Sequence, residues 1–301
     1  MRGNIRRKAI RVRAAGNVAL EQSSSGKLKT RDGLHGKLVA WPPSLHNRAF
    51  GRKRAEPSGH WRSAASADSV RAMTGADEIR LARLIAAEER ALDMLAAIEA
   101  AGFIQPGRRE SEVDADIAAL AEHDFGVTRH WHKRLVRAGA NTLCVFADNP
   151  EERTIGANDT VYLDLGPVFE AWEADIGQTY AIGNDPAHHA LVAALPKVFE
   201  DTRAHANADP DISGAELYAR ACAAAEQRGY VFGGKIAGHT VGEFPHLTWP
   251  GEREHTRIYP DNPNKLSDPD HLGRKRFWII ETHLIAPDCS FGGFYERLLR
   301  S

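Results

Sequence analysis

One stretch limits what this chain can become: TVYLDLGPVFEAWEADIGQTYAIG, residues 160–183. Both ends are rich in β-branched and aromatic residues, and a Gly/Pro-containing segment separates them, which predicts a β-hairpin. Asp164 and Asp175 stand one in each arm, eleven residues apart. A simple even-length hairpin centred between Phe169 and Glu170 would set them directly across from each other on one face. Facing carboxylates repel, so one takes up a proton unless a cation lies between them. The flanking Val, Tyr and Leu residues also make an unpaired charge costly there. The plainer alternative is that each Asp is exposed, at a strand end or in a turn.

With 301 residues, 43% hydrophobic and 26% charged, the chain can build one large or two modest cores. No apolar run reaches the roughly 18 residues of a membrane span, so none is expected. Cys144, Cys222 and Cys289 are far apart and form no CxxC. This argues against a disulfide framework or a zinc ribbon, suits a cytoplasmic location, and leaves each cysteine as a small buried or half-buried residue. The balance of 39 Lys+Arg against 40 Asp+Glu hides a split, because residues 1–72 hold 16 of the basic and only 4 of the acidic side chains. Residues 1–72 lack periodicity and are expected to be a mostly disordered basic arm. Such an arm would contact nucleic acid or a ribosome; alternatively, Met73 is the true start. A twin-Arg export signal is excluded, since no apolar stretch follows Arg6-Arg7.

Residues 73–301 read as the folded domain. Apolar residues from Ile79 to Ile98 recur at helical spacing between an N-cap candidate, Thr74, and a stop at Gly102. A second helix opens at Ser111 with Asp114 three residues on and runs to about His123. After the hairpin, a helix over 187–205 carries Pro196, which implies a kink. Another starts at Ser213 with Glu216 completing a capping box and ends near Gly229. Strand-like pieces KIAGHTVG, FWIIETHLIA and FGGFYERLL follow. The order helix, helix, hairpin thus occurs twice, as in two similar halves. The Pro/Asp/Asn-rich connection over 250–276 is long enough to be a lid or a surface decoration.

Four residues in the second half join the two aspartates. His239 and His246 lie seven apart, Glu281 interrupts the apolar run FWIIETHL, and Glu296 sits within GFYERLL. A carboxylate among such neighbours needs a partner. Singly, each reads as a solvated strand Glu or a hydrogen-bonded core His. Together, four carboxylates and one imidazole suit a pair of hard or borderline divalent ions better than a closed structural zinc site.

Asp164 and Asp175, then GHTVG with a second His seven after the first, then the strand Glu281 and the final Glu296, resemble the pita-bread metallopeptidases. These include methionine aminopeptidase, aminopeptidase P and prolidase, with creatinase as a relative lacking metals. The resemblance spans about 73–301, and Arg153-Thr154-Ile155 with Asn158-Asp159 is similar to the prolidase lead-in. It implies an α+β fold in which two pseudo-symmetric helix-helix-hairpin halves surround a curved antiparallel sheet. It also implies two divalent ions, Mn²⁺ or Co²⁺ first and Fe²⁺ or Zn²⁺ as alternatives. Asp164 would chelate one ion, Asp175 and Glu296 would bridge, and His239 and Glu281 would complete the other. A bridged water acidified to hydroxide would attack the scissile carbonyl, with Glu281 as proton shuttle and His246 as donor to the carbonyl. The implied activity is an Xaa-Pro peptidase-like aminopeptidase or dipeptidase acting on a peptide or small amide; a homodimer is left open. Three positions depart from the pattern. Phe146 stands where the family carries a substrate-contacting His, so that His130 or His132 would have to substitute. Thr282 follows Glu281 in place of Pro, and Phe294 replaces an Arg of aminopeptidase P. The alternatives are a non-catalytic protein of this fold that binds peptides or partners, and a creatinase-like hydrolase of a small C–N substrate.

Overall fold

A computed structural model of the chain describes the backbone of residues 67–246 and 255–300, with side chains from residue 75 onward. The expected arm lies outside the described residues up to residue 66. Two helices come first, α1 (Ala67–Ala101) and α2 (Glu110–Phe125). Both start earlier than their sequence caps suggest. α1 is already helical before Thr74. For α2 the N-cap is Arg109, whose backbone N–H donates to the Glu112 carboxylate at 2.9 Å. Glu110 explains the shift from Ser111. It is buried, and it accepts hydrogen bonds from the backbone of Ala138 (2.7 Å) and Arg153 (3.1 Å) and from the Asn141 amide. Contacts from distant chain therefore fix this helix start.

The hairpin forms, from β2 (Thr160–Leu165) and β5 (Ile176–Ala181), with β1 (Leu135–Ala138) flanking β2. Its register corrects the symmetric expectation: Asp164 faces Gly177, not Asp175. The turn lies one residue later, at Glu170-Ala171, where β3 (Val168–Phe169) pairs with β4 (Trp172–Glu173) and Glu170 adopts φ 58°. Moving a turn by one residue shifts each pairing by two. A two-residue shift keeps the face, so both aspartates still point to one side.

The second half repeats the plan. Asp185 caps α3 (Pro186–Ala208), accepting from Ala187 N at 2.8 Å, and the helix continues through Pro196. The Ser213/Glu216 box opens α4 (Gly214–Glu226) as expected. Then come β6 (Val231–Phe232), β7 (Gly238–Val241), β8 (Phe277–Ile285) and β9 (Gly292–Leu298). Part of the connection before β8 is built into the fold: Ile258 is fully buried, exchanges backbone hydrogen bonds with Ala237 and Gly238, and shares a cluster with Leu266 and Trp278. Cys144 and Cys222 are half-buried; Cys289, contrary to expectation, is exposed, in the β8–β9 turn.

All strand pairings are antiparallel, in the order β1-β2-β5-β9-β8-β6, with β7 also on β8. Alternation gives the sheet two faces. Val161, Leu163, Leu165 and Ile176 pack on α1 and α2, and Leu284 packs on α3 and α4. Burying one such Leu contributes about 2 kcal/mol. On the other face, Leu84 of α1 covers Val241, Phe277, Ile279 and Leu298, and the candidate donors lie beside that patch.

The halves meet along β5 and β9, where Gly177 faces Glu296. Side chains knit this seam. The Thr179 hydroxyl donates to Phe294 O and accepts from Phe294 N, both at 2.7 Å, and Arg297 reaches Gly177 O at 2.5 Å. Glycine at 177 permits the approach, since a Cβ there would lie 2.5 Å from the Phe294 ring. No helix among the described residues is long and apolar enough to cross a membrane.

Candidate metal centre

The sheet register collects the candidate donors on two adjacent cross-strand rows. Asp164, Gly177, Glu296 and Glu281 form one row. Asp175, two residues before Gly177, and His239, opposite Ile279, belong to the next. His239 Nε2 lies 3.1 Å from Asp175 Oδ2, 3.4 Å from Glu296 Oε1 and 3.5 Å from Glu281 Oε1. All five of the candidate metal donors expected from the sequence are therefore brought together.

A sixth group joins them. His132 Nε2 lies 3.1 Å from Asp175 Oδ1 and 3.6 Å from Asp164 Oδ1. Of the two histidines weighed as substitutes at the Phe146 position, His132 is the one in the cluster. His130 pairs its backbone with Pro167, and burial pushes its imidazole down to about 4. Phe146 itself is a half-exposed rim residue, its ring 5.6 Å from that of His132.

The electrostatics follow from burial. Asp164, Asp175 and Glu296 are each at most 6% exposed. Burial, with the Asp175 charge adding to it, pushes Asp164 up to about 7. Burial and the neighbouring aspartates push Glu281 up to about 8, and Glu296 is likewise raised well above the usual range. Asp175 goes the other way: burial opposes its charge, but His132 and His239 both pair with it and hold it low. Burial alone would lower the two imidazoles. Instead the Asp175 charge and hydrogen bond hold His132 up at about 9, while hydrogen bonds to Asp175 and Glu296 raise His239 well above its ordinary value. Three buried carboxylates and the half-buried Glu281 demand positive charge, from protons or from metal ions. Oxygen-rich, with imidazole at each end, the donor set fits divalent cations.

His246 stands outside this cluster. Its Nδ1 lies 2.6 Å from Glu173 Oε2, and Glu173 also accepts from the backbone of His246 and Gly242. Sequence reasoning missed Glu173. It is 1% exposed on the hairpin tip, and its only signal was an acid between Trp172 and Ala174. Trp131, also missed, sets its ring 4.5 Å from His132, 5.2 Å from His239 and 5.4 Å from His246. A cavity of about 340 Å³ is lined by His246 together with Gly242, Phe244, Arg80, Arg274 and Lys275.

Among solved structures, the chain is similar to the X-Pro aminopeptidase from Thermotoga maritima MSB8, with a TM-score of 0.58 at 16% identity over 77% of this chain and 65% of that one. It is similar to the prolidase from Thermococcus sibiricus, with a TM-score of 0.53 at 20% identity over 75% and 61%. It also resembles the dipeptidase PepE from Mycobacterium ulcerans, with a TM-score of 0.54 at 22% identity over 77% and 58%. The chain thus spans 58–65% of the length of these structures. At such identities the likeness establishes the fold, which is the pita-bread fold expected above. No curated protein sequence matches. The model of metallopeptidase family M24 matches residues 82–269, more than half of the chain, and the chain belongs to that family.

Proposed function

We propose that this protein is a dinuclear metal-dependent exopeptidase that hydrolyses the N-terminal bond of a peptide, in the manner of the Xaa-Pro peptidases. The convergence of Asp164, Asp175, His239, Glu281 and Glu296 on two rows of one sheet face carries the reading. Asp164 would hold one ion, Asp175 and Glu296 would be shared, and His239 and Glu281 would complete the other, with Mn²⁺ or Co²⁺ best suited. When bound, such a pair supplies a water acidified to nucleophilic strength near neutral pH and a Lewis-acid pull on the carbonyl.

The chain's own side chains do the rest. Glu281 takes the proton of the attacking water on a carboxylate oxygen and passes it to the leaving amine. His246, with hydrogen on both ring nitrogens, donates Nδ1–H to the Glu173 carboxylate and Nε2–H to the substrate carbonyl oxygen as negative charge builds there. The adjoining cavity gives room to residues flanking the scissile bond.

The test loads the protein with Mn²⁺ or Co²⁺ and offers Xaa-Pro dipeptides, Xaa-Pro-peptides and Met-peptides, with Glu281→Ala as control. Cleavage that disappears in the control is expected, and the best substrate names the subclass. Stoichiometric metal with no cleavage of any peptide would overturn the reading in favour of a binding protein or a hydrolase of a small C–N substrate.

A further inference from the structure

His132 carries an inference that goes beyond the five donors and rests on the dinuclear reading. We infer that His132 is itself a metal ligand, giving the ion held by Asp164 and Asp175 an imidazole donor of its own.

The two imidazoles are configured alike. His239 Nδ1 bonds the carbonyl of the next residue, Thr240, at 2.9 Å; His132 Nδ1 bonds the carbonyl of the next residue, Lys133, at 2.7 Å. A carbonyl only accepts, so in both rings Nδ1 carries a proton, and Nε2, which shares its own proton with Asp175 in the ion-free protein, becomes a bare donor once an ion takes that proton's place. Each Nε2 then faces its own oxygen of Asp175 at 3.1 Å, Oδ2 for His239 and Oδ1 for His132. The donors thus divide into His132, Asp164 and Asp175 on one side and His239, Glu296 and Asp175 on the other, with ligand atoms in each group mutually within 4.8 Å.

The loop holding His132 is built for this position. Trp131 N donates to Gly166 O at 2.9 Å, and Val168 N donates to Arg129 O at 3.0 Å, so the loop runs along the strand end just beyond Asp164. The Trp131 indole N–H is tied to Ala174 O at 3.1 Å, and Arg134 pairs with Asp114 at 2.7 Å. Gly166 leaves space for the ring: a Cβ there would stand 2.3 Å from His132 Cδ2 and 2.4 Å from Nε2. The backbone on both sides of the imidazole is therefore fixed.

An imidazole in place of an all-oxygen set shifts that site towards ions that accept nitrogen, so His132 raises the preference for Co²⁺, Zn²⁺ or Fe²⁺ over Mn²⁺. The test titrates the full chain with Co²⁺, Zn²⁺ and Mn²⁺, as wild type, His132→Gln and His132→Ala. Affinity and stoichiometry come from calorimetry, and ligand type from cobalt absorption and X-ray absorption. His132→Gln is expected to weaken one of two ions by more than the roughly 10–100-fold that follows loss of a group merely orienting a ligand. It should also lower the Zn²⁺:Mn²⁺ affinity ratio at that ion and remove one imidazole from the cobalt shell. Added imidazole should restore the ion to His132→Ala, which separates a missing donor from a misfolded site. Wild type holding two ions, with affinity, ratio and cobalt spectrum unchanged in His132→Gln, overturns the inference and leaves the dinuclear reading intact. Wild type holding one ion, with a second gained in His132→Ala, means the imidazole occupies an ion's place and overturns it too. Wild type holding no ion overturns both.

Discussion

The two hairpins of the sheet do the same work with different geometry. In the second half, Glu281 and Glu296 face each other directly across β8 and β9, and His239 comes from a strand beside them. In the first half, Asp164 faces a glycine, Asp175 sits two residues off the opposing position, and the imidazole of His132 comes from a loop. Each half nonetheless delivers two carboxylates and one imidazole to one cluster. The difference shows how a near-symmetric plan tolerates asymmetric parts. The longer Glu side chains reach across from facing positions, whereas the shorter aspartates are offset by two residues.

The largest expected effect removes the group common to both halves. Asp175→Asn should release both ions and lower activity by roughly a thousandfold or more, given the several kcal/mol metal ions supply. If one ion stayed bound at full affinity, as read by calorimetry, the shared role of Asp175 would be lost and the halves would be independent.

Proton competition comes next. Asp164 at about 7, Glu281 at about 8 and His132 at about 9, with Glu296 and His239 also raised, bind protons more tightly folded than unfolded. The sign is the same for all five: they stabilise the ion-free protein at low pH, and that stability is lost as pH rises through these values. Ions replace those protons, so metal affinity and the metal-induced rise in Tm should both grow from pH 6 to 9. Calorimetry in buffers of different ionisation heat should find protons released. A flat profile would break the picture of a cluster wanting positive charge.

Glu173 belongs to the first half but serves His246 between β7 and β8. Glu173→Gln should lower kcat by about 10–100-fold, the usual cost of losing a group that orients a working side chain, with both ions retained. Loss of metal instead would put Glu173 in the ion cluster.

The smallest effect separates the helix starts. α4 has a side-chain cap, Glu216 N to Ser213 Oγ at 3.2 Å, whereas α2 begins at Arg109 without one. Ser213→Ala should cost about 1 kcal/mol, seen as a Tm drop of about 2–4 °C. Arg109→Ala should cost less.

The sequence made the five candidate donors legible because each acid interrupts an apolar strand. What it hid were relations fixed by distant contacts. The turn at Glu170 uses a left-handed conformation without the glycine or asparagine that would announce it, so the pairing of Asp164 could not be read. His132 gains its position only when the loop lies against Gly166, far along the chain, and nothing in HWHKR itself points to that. The α2 start follows Glu110, whose partners at Ala138 and Arg153 are likewise remote. Asn158 and Asp159, read as part of a family lead-in, fix backbone: Asp159 accepts from Gly156 N at 2.6 Å within a turn, and Asn158 accepts from the remote Asn184 N at 3.2 Å.

The seam between β5 and β9 has one more consequence. It is knitted by Thr179 and Arg297, and the donors of the two halves lie on either side of it. Ions held across such a join act as rivets. Each half could loosen alone, but parting them would require giving up metal, so bound ions would raise the free energy of separation by RT ln(1+[L]/Kd) per site. On the dinuclear reading, a cell short of the ion would therefore hold less of the folded protein as well as less of its activity.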